Sequence, residues 1–239
     1  MTASATHLDH LARHVRGPVH LPGTEGYADA RSGFQRALTH RPAVVAEALD
    51  AADVGAAVRF ATARGLAVAV QATGHGLVAP ATGDAMLIST RRMDSVRVDP
   101  VARTAWLGAG VRWRRVLDAT AAHGLAPLSG SSPGVGAVSY TLGGGLGPLA
   151  RRYGYAADHV RRVELVTADG EVREVSADRT RTCSGRCAAA AATSASSPGW
   201  SSAWCPWRGS TAAVCSSTAL TPPRCWRPTG AGRRPCPPS

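Results

Sequence analysis

Gly130-Ser131-Ser132-Pro133-Gly134-Val135-Gly136, continued by Leu142-Gly143-Gly144-Gly145-Leu146-Gly147, is the stretch on which the reading of this chain turns. Residues without Cβ atoms let successive backbone N–H groups converge on an anion such as a phosphate or pyrophosphate. A second turn of this kind lies upstream, where Leu66, Val68 and Val70 alternate with smaller residues as a strand and run directly into Gln71-Ala72-Thr73-Gly74-His75-Gly76. A Walker loop is excluded because it needs a lysine and the chain has none. Neither run spells G-x-G-x-x-G between a strand and a helix with an acid at the expected distance, so a Rossmann fingerprint fits poorly. Taken singly, each run is also compatible with an ordinary tight loop.

The surrounding elements alternate in type. Thr6 can cap a short helix carrying Leu8, Leu11 and Val15 on one side, and Gly17-Pro18 and Pro22-Gly23 then break the chain. Val44-Val45 reads as a strand, and Asp53 as the cap of a helix with Val54, Ala57, Val58 and Ala61 at helical spacing, stopped by Gly65. Met86-Leu87-Ile88 is another strand, and residues 96–98 and 104–107 form a hairpin across Asp99-Pro100. Val111 to His123 reads as an amphipathic helix ending at Gly124. Strands at 160–167 and 172–175 are joined by Asp169-Gly170, a dipeptide suited to a two-residue hairpin turn. Helices and strands mixed in this order predict an α+β domain.

Charge and composition divide the chain near residue 179. Residues 1–178 hold 19 arginines against all 16 acids, a net of +3, whereas the last 61 residues hold 8 arginines, no acid and all six cysteines. That segment has one leucine, one valine and no isoleucine, phenylalanine, tyrosine or methionine, so it has almost nothing to bury, and disorder is expected for 179–239. Cys183, Cys187, Cys205, Cys215, Cys225 and Cys236 form no C-x-x-C pair and have no tail histidine beside them, which argues against a metal site. The body is long enough for one sizeable core. No membrane span or secretory signal is visible, and a cytoplasmic location is expected. The body's arginine pairs lie among acids without interleaved aromatic residues, which argues against the nucleic-acid partner that a basic chain otherwise suggests.

Together, in order, the motifs are more specific than either glycine run. Pro22-Gly23 with Tyr27 and Ala30-Arg31, Arg41-Pro42, Asp53-Val54, Gly65 to Val68, Thr73-Gly74-His75-Gly76, Gly130 to Gly136, Tyr140 to Gly147, Arg152-Tyr153-Gly154, Ala157 to Val160 and Val166 to Gly170 resemble the FAD-binding domain of the flavin-linked oxidases that include vanillyl-alcohol oxidase, berberine bridge enzymes and 6-hydroxynicotine oxidase. The resemblance covers residues 22–175 and implies a PCMH-type domain of two α/β subdomains occupying 1–178. It implies FAD bound by Thr73, Gly74, His75, Gly76, Ser132, Gly136, Ala137, Gly143, Gly144, Gly145 and Val166, largely through backbone groups. His75 stands where many members bond a histidine covalently to the flavin's 8-methyl carbon. Ser132 stands where some place a second linking cysteine, so no second link is expected. The implied reaction oxidises a small alcohol, amine or sugar-like molecule, with hydride passing to flavin N5 and dioxygen as acceptor. The family places its catalytic base beyond the matched region.

The family normally continues past Asp178 with an acid, Leu-Phe-Trp, four glycines and Asn-Phe-Gly. A codon string encoding Thr182 through Pro198 and starting Gly199 reads, displaced by one base, D-L-F-W-A-L-R-G-G-G-G-N-F-G-V-V-T-G. Arg179-Thr180-Arg181 similarly becomes the end of D-P-D when one base is restored. Residues 179–239 are therefore read as an out-of-frame tail following a single-base deletion near codon 179. The chain as written is then expected to be a truncated flavoprotein, and a non-catalytic flavin-binding remnant is the alternative to an active oxidase.

Overall fold

The computed structural model describes residues 11–76, 79–176 and, as backbone alone, 214–220. Its first layer is a four-stranded sheet of order β1-β2-β4-β3, built from β1 (Val19–His20), β2 (Val44–Glu47), β3 (Ala67–Gln71) and β4 (Ala85–Ser89). The last three are mutually parallel and β1 is antiparallel to β2. Every residue of β2 and β4 is buried. That is why these strands read as continuous apolar runs, whereas β3, at the sheet edge, alternates.

The described part of α1 (11–14) and helix α3 (Ala51–Ala63) meet in one core cluster, where Leu11 and Val15 pack with Val54, Ala57, Val58 and Ala61. The cap of α3 is Asp50, whose carboxylate accepts from the N–H groups of Ala52 and Asp53 at 3.0 and 3.1 Å. Asp53, expected at that position, instead sits buried in the first turn. Its carboxylate accepts from the N–H groups of Arg16, Gly17 and Leu49, tying the N-terminal segment to the helix start. Helix α2 (Tyr27–Ala30) lies between β1 and β2 in sequence, and Tyr27 donates its hydroxyl to the Pro42 carbonyl at 2.7 Å.

The second layer is an antiparallel sheet of order β5-β6-β9-β7-β8, from β5 (Val96–Asp99), β6 (Thr104–Gly108), β7 (Val160–Val166), β8 (Val172–Ser176) and β9 (Val214–Leu220). Helices α4 (Trp113–Ala121), α5 (Ala137–Leu142) and α6 (Ala150–Tyr153) and a 3₁₀ turn (Ala156–His159) connect its halves. Helix α4 starts later than Val111 because Arg112 is extended and forms a bridge with Gly136. The turn between β7 and β8 is longer than Asp169-Gly170 alone. Thr167 N–H bonds Glu171 O at 3.0 Å, leaving three residues in the loop with Gly170 at φ +79°, the geometry of a three-residue hairpin loop.

Strand β9 corrects the expectation of disorder for 179–239 at one place. Residues 214–220 lie between β6 and β7, with Thr218 opposite both Leu107 and Val163. The composition argument weighed side chains, but a ladder is made by backbone groups. Val214 to Leu220 contains no proline, glycine or charge to oppose an extended strand. Residues 177–213 and 221–239, with every cysteine except Cys215, lie outside the described residues. Among the described residues no helix is long and apolar enough to cross a membrane, and no group of potential metal ligands occurs.

Candidate functional site

The first glycine turn leaves the end of β3 and is fastened at both sides. Ala81 donates its N–H to His40 Nδ1 at 2.8 Å, which leaves the His40 Nε2–H to donate to Gln71 Oε1 at 3.0 Å. Gln71 Nε2 in turn donates to the Ser32 carbonyl at 3.2 Å. The segment after α2 runs alongside, with the N–H groups of Phe34 and Gln35 donating to the carbonyls of Thr73 and Gly74 at 2.9 and 3.0 Å. Two glycines permit this approach: Gly74 has φ +71°, and a Cβ added there would lie 2.7 Å from Gly33 Cα. Phe34, otherwise 68% exposed, stacks on the imidazole of His75 with centroids 3.9 Å apart and planes 8° from parallel.

The second turn is tied to the extended segment before α4. Trp113 donates to Val135 O at 3.0 Å and Ala137 to Val111 O at 2.8 Å, while Arg112 Nη1 donates to Gly134 O at 2.7 Å. This seats Gly136 against Thr73, whose buried hydroxyl accepts the Gly136 N–H at 3.3 Å and contacts His75 Nδ1 at 2.8 Å. Partial burial, followed by the nearby Arg112 charge, depresses the His75 pKa below its ordinary 6.5 and favours the neutral imidazole. The N–H groups of Gly74, His75, Gly76, Ser131, Ser132 and Gly134 donate to no acceptor among the described residues.

Thr73, His75 and Gly136 thus converge, with Gly74, Gly76 and Ala137 adjoining them in sequence. Ser132 is exposed on the second turn. Gly143 to Gly145 make no hydrogen bond to the first turn among the described residues. Their carbonyls at Gly144 and Gly145 instead accept from Ala157 and Ala156 at 3.0 and 3.1 Å. Val166 is fully buried in the first core cluster, so its side chain faces packing. His159 holds the Tyr153 carbonyl at 2.8 Å, a structural role. Gly33, Phe34, His40 and Arg112 were not singled out from sequence as site residues. Only the glycine of Gly33 and the aromatic ring of Phe34, side by side after Ala30-Arg31, could have drawn attention there.

Residues 42–176 match the family model described as "FAD binding domain". The chain belongs to that family. It is 33% identical over 159 residues to (R)-6-hydroxynicotine oxidase of Paenarthrobacter nicotinovorans, covering 66% of this chain and 35% of the relative. Berberine bridge enzyme-like 2 of Arabidopsis thaliana is 29% identical over 146 residues, covering 58% and 27%. The structure of 6-hydroxy-D-nicotine oxidase from Arthrobacter nicotinovorans superimposes with a TM-score of 0.73 at 26% identity, covering 89% of this chain and 43% of that one. Glucooligosaccharide oxidase of Acremonium strictum, described as carrying a 6-S-cysteinyl, 8α-N1-histidyl FAD, shares the fold with a TM-score of 0.72 at 22% identity, covering 90% and 43%. The chain therefore spans about a third of the curated oxidase's length and under half of these structures.

The residues present fit the family's cofactor. Unspent backbone donors on two abutting turns, with a guanidinium at the edge of one, suit a diphosphate. A neutral, stacked imidazole beside them has the nucleophilic character needed to attach a flavin.

Proposed function

We propose that this chain is the FAD-holding part of a cytoplasmic flavin-dependent oxidase acting on a small alcohol, amine or sugar-like molecule, with His75 bonded to the cofactor. The observation that carries the reading is the junction of Thr73, His75 and Gly136, where both glycine turns meet beside Arg112. The names of the relatives, oxidases of nicotine-type and sugar substrates, support the reaction class. Bound FAD would supply a hydride acceptor at N5 and a route for the electrons to dioxygen. The turns at Thr73 to Gly76 and Ser132 to Ala137 hold the diphosphate end and His75 the ring, with Gly143 to Gly145 and the Val166 backbone as outer contacts. The described residues give no candidate base in a substrate pocket.

The activity belongs to a longer protein, and we read residues 179–239 as its displaced frame. The same one-base shift continues past Gly199. Serine codons of the form TCN and all tryptophan and cysteine codons become NTC or NTG, which encode only Val, Leu, Ile, Phe or Met. Under that rule Trp200, Trp204, Cys205 and Trp207, and Ser201 and Ser202 where their codons are TCN, all read as Val, Leu, Ile, Phe or Met, so a serine-interrupted stretch becomes a core-forming run.

The test is expression of the chain as written and of a gene with one base restored near codon 179, each assayed for flavin absorbance and peroxide release. The proposal expects flavin in both and turnover in the restored protein alone. Colourless restored protein would refute the flavin reading. Unrelated DNA around an intact codon 179 would refute the frame reading and leave the chain a flavin-binding remnant.

A further inference from the structure

We propose that Phe34 is a positioning residue that acts through His75, setting the plane of the imidazole before the cofactor arrives. The inference rests on the covalent reading of His75 given above and adds the group that holds the attaching ring.

Core packing does not account for where the Phe34 ring lies. It is 68% exposed and belongs to none of the core clusters. The backbone delivers it instead. The Phe34 and Gln35 N–H groups donate to the Thr73 and Gly74 carbonyls, and the Ser32 carbonyl accepts from Gln71 Nε2. Gly33 makes that seating possible, since a Cβ there would lie 2.9 Å from both Gly74 Cα and Gln71 Oε1. With the main chain fixed on both sides of Phe34, its side chain has two torsions left, and they bring it face to face with His75 at 3.9 Å and 8°.

The imidazole needs such a support. It is flanked in the turn by Gly74 and Gly76, neither of which has a side chain to lay against it. Thr73 Oγ1 touches one edge at 2.8 Å and so orients the ring within its plane, while the stack sets the plane itself. A half-turn about Cβ–Cγ exchanges the two edges without leaving that plane, so the role of Phe34 is the same for either ring nitrogen. A ring already immobilised in the folded chain has lost rotamer freedom that would otherwise be lost in the attachment step.

Two variants separate this role from a merely structural one. Phe34→Leu keeps an apolar side chain and removes the flat face, whereas Phe34→Tyr keeps the face. In the chain freed of flavin, NMR should show the carbon-bound ring protons of His75 displaced upfield by the aromatic ring current in wild type and in Phe34→Tyr, and that displacement should vanish in Phe34→Leu. In the chain supplied with FAD, acid-stable flavin should accumulate about fivefold more slowly in Phe34→Leu, the scale of one aromatic pair, with reversible FAD binding retained. Phe34→Tyr should match wild type. His75 resonances or an attachment rate indifferent to Phe34→Leu overturn the assignment, as does slow attachment in Phe34→Tyr with its His75 displacement intact. Wild type that binds no FAD, or binds it only reversibly, contradicts the function proposed above, and the resonances then judge Phe34 by themselves.

Discussion

The two glycine segments look alike in sequence and are built for different reasons. In the first, Gly33 and Gly74 let two backbones touch, and the side chains of Thr73, His75 and Phe34 are arranged above that contact. In the second, much of the glycine content makes room for one ring. A Cβ at Gly130 or Gly145 would lie 2.9 or 3.0 Å from Tyr140 ring carbons, and one at Gly147 would lie 2.9 Å from the Tyr140 hydroxyl. Tyr140 packs edge-on against the buried Trp113, with centroids 5.6 Å apart and planes at 84°. One glycine segment presents chemistry, while much of the other seats an aromatic peg beneath it. A run of glycines is therefore weak testimony about a ligand until what each missing Cβ would meet is known.

The difference can be attacked by substitution. Gly74→Ala meets both a positive φ and the Gly33 backbone, and should cost about 3 kcal/mol in denaturant unfolding. A loss under about 1 kcal/mol there would mean the two backbones do not need to touch. Gly145→Ala places its Cβ 2.5 Å from that of Ala156 at φ +74°, and about 2 kcal/mol is expected. Pairing it with Tyr140→Leu should recover little, because Ala156 remains. Gly76→Ala is the sharpest case. Among the described residues nothing lies within 4 Å of its added Cβ, so stability should change by less than about 0.5 kcal/mol. Flavin affinity should nevertheless fall, because the substitution narrows the backbone approach to the cofactor. Unchanged flavin affinity would make the first turn as purely structural as the Tyr140 seat.

The smallest effect concerns pH. His75 has a folded-state pKa below its ordinary 6.5, so the unfolded chain binds the proton more readily and stability rises with pH across that interval. The contribution is present above pH 6.5 and is lost as pH falls through the folded-state value, until both states are protonated. His75→Gln should flatten that part of the stability profile. An unchanged profile would place the ring in water, away from Arg112.

Much of the architecture was legible because burial writes itself into periodicity. The fully buried β2 and β4 appear as apolar runs and α3 as a spaced stripe. Two details failed for local reasons. Asp50 and Asp53 stand three residues apart, both able to cap, and the choice depended on Arg16 and Gly17 arriving from a distant segment to claim Asp53. Asp169-Gly170 suits several hairpin lengths, and the Thr167–Glu171 pairing decided among them. At the site, the conspicuous residues Thr73, His75 and Gly136 were found together. Phe34 and Arg112 were missed because their roles arise from long-range contacts, a stack on His75 and a bridge to the second turn, which leave no local pattern. Strand β9 was missed because a central strand can be specified by backbone pairing in a segment whose side chains suggest nothing.

Covalent attachment of FAD to His75 at the junction of the two turns is the central proposal. Acid precipitation of purified, FAD-supplied protein tests it most directly. A yellow pellet is expected from wild type, and a colourless pellet with flavin in the supernatant from His75→Ala. Equal colour in both pellets, or a colourless wild-type pellet from protein that was yellow in solution, would contradict it.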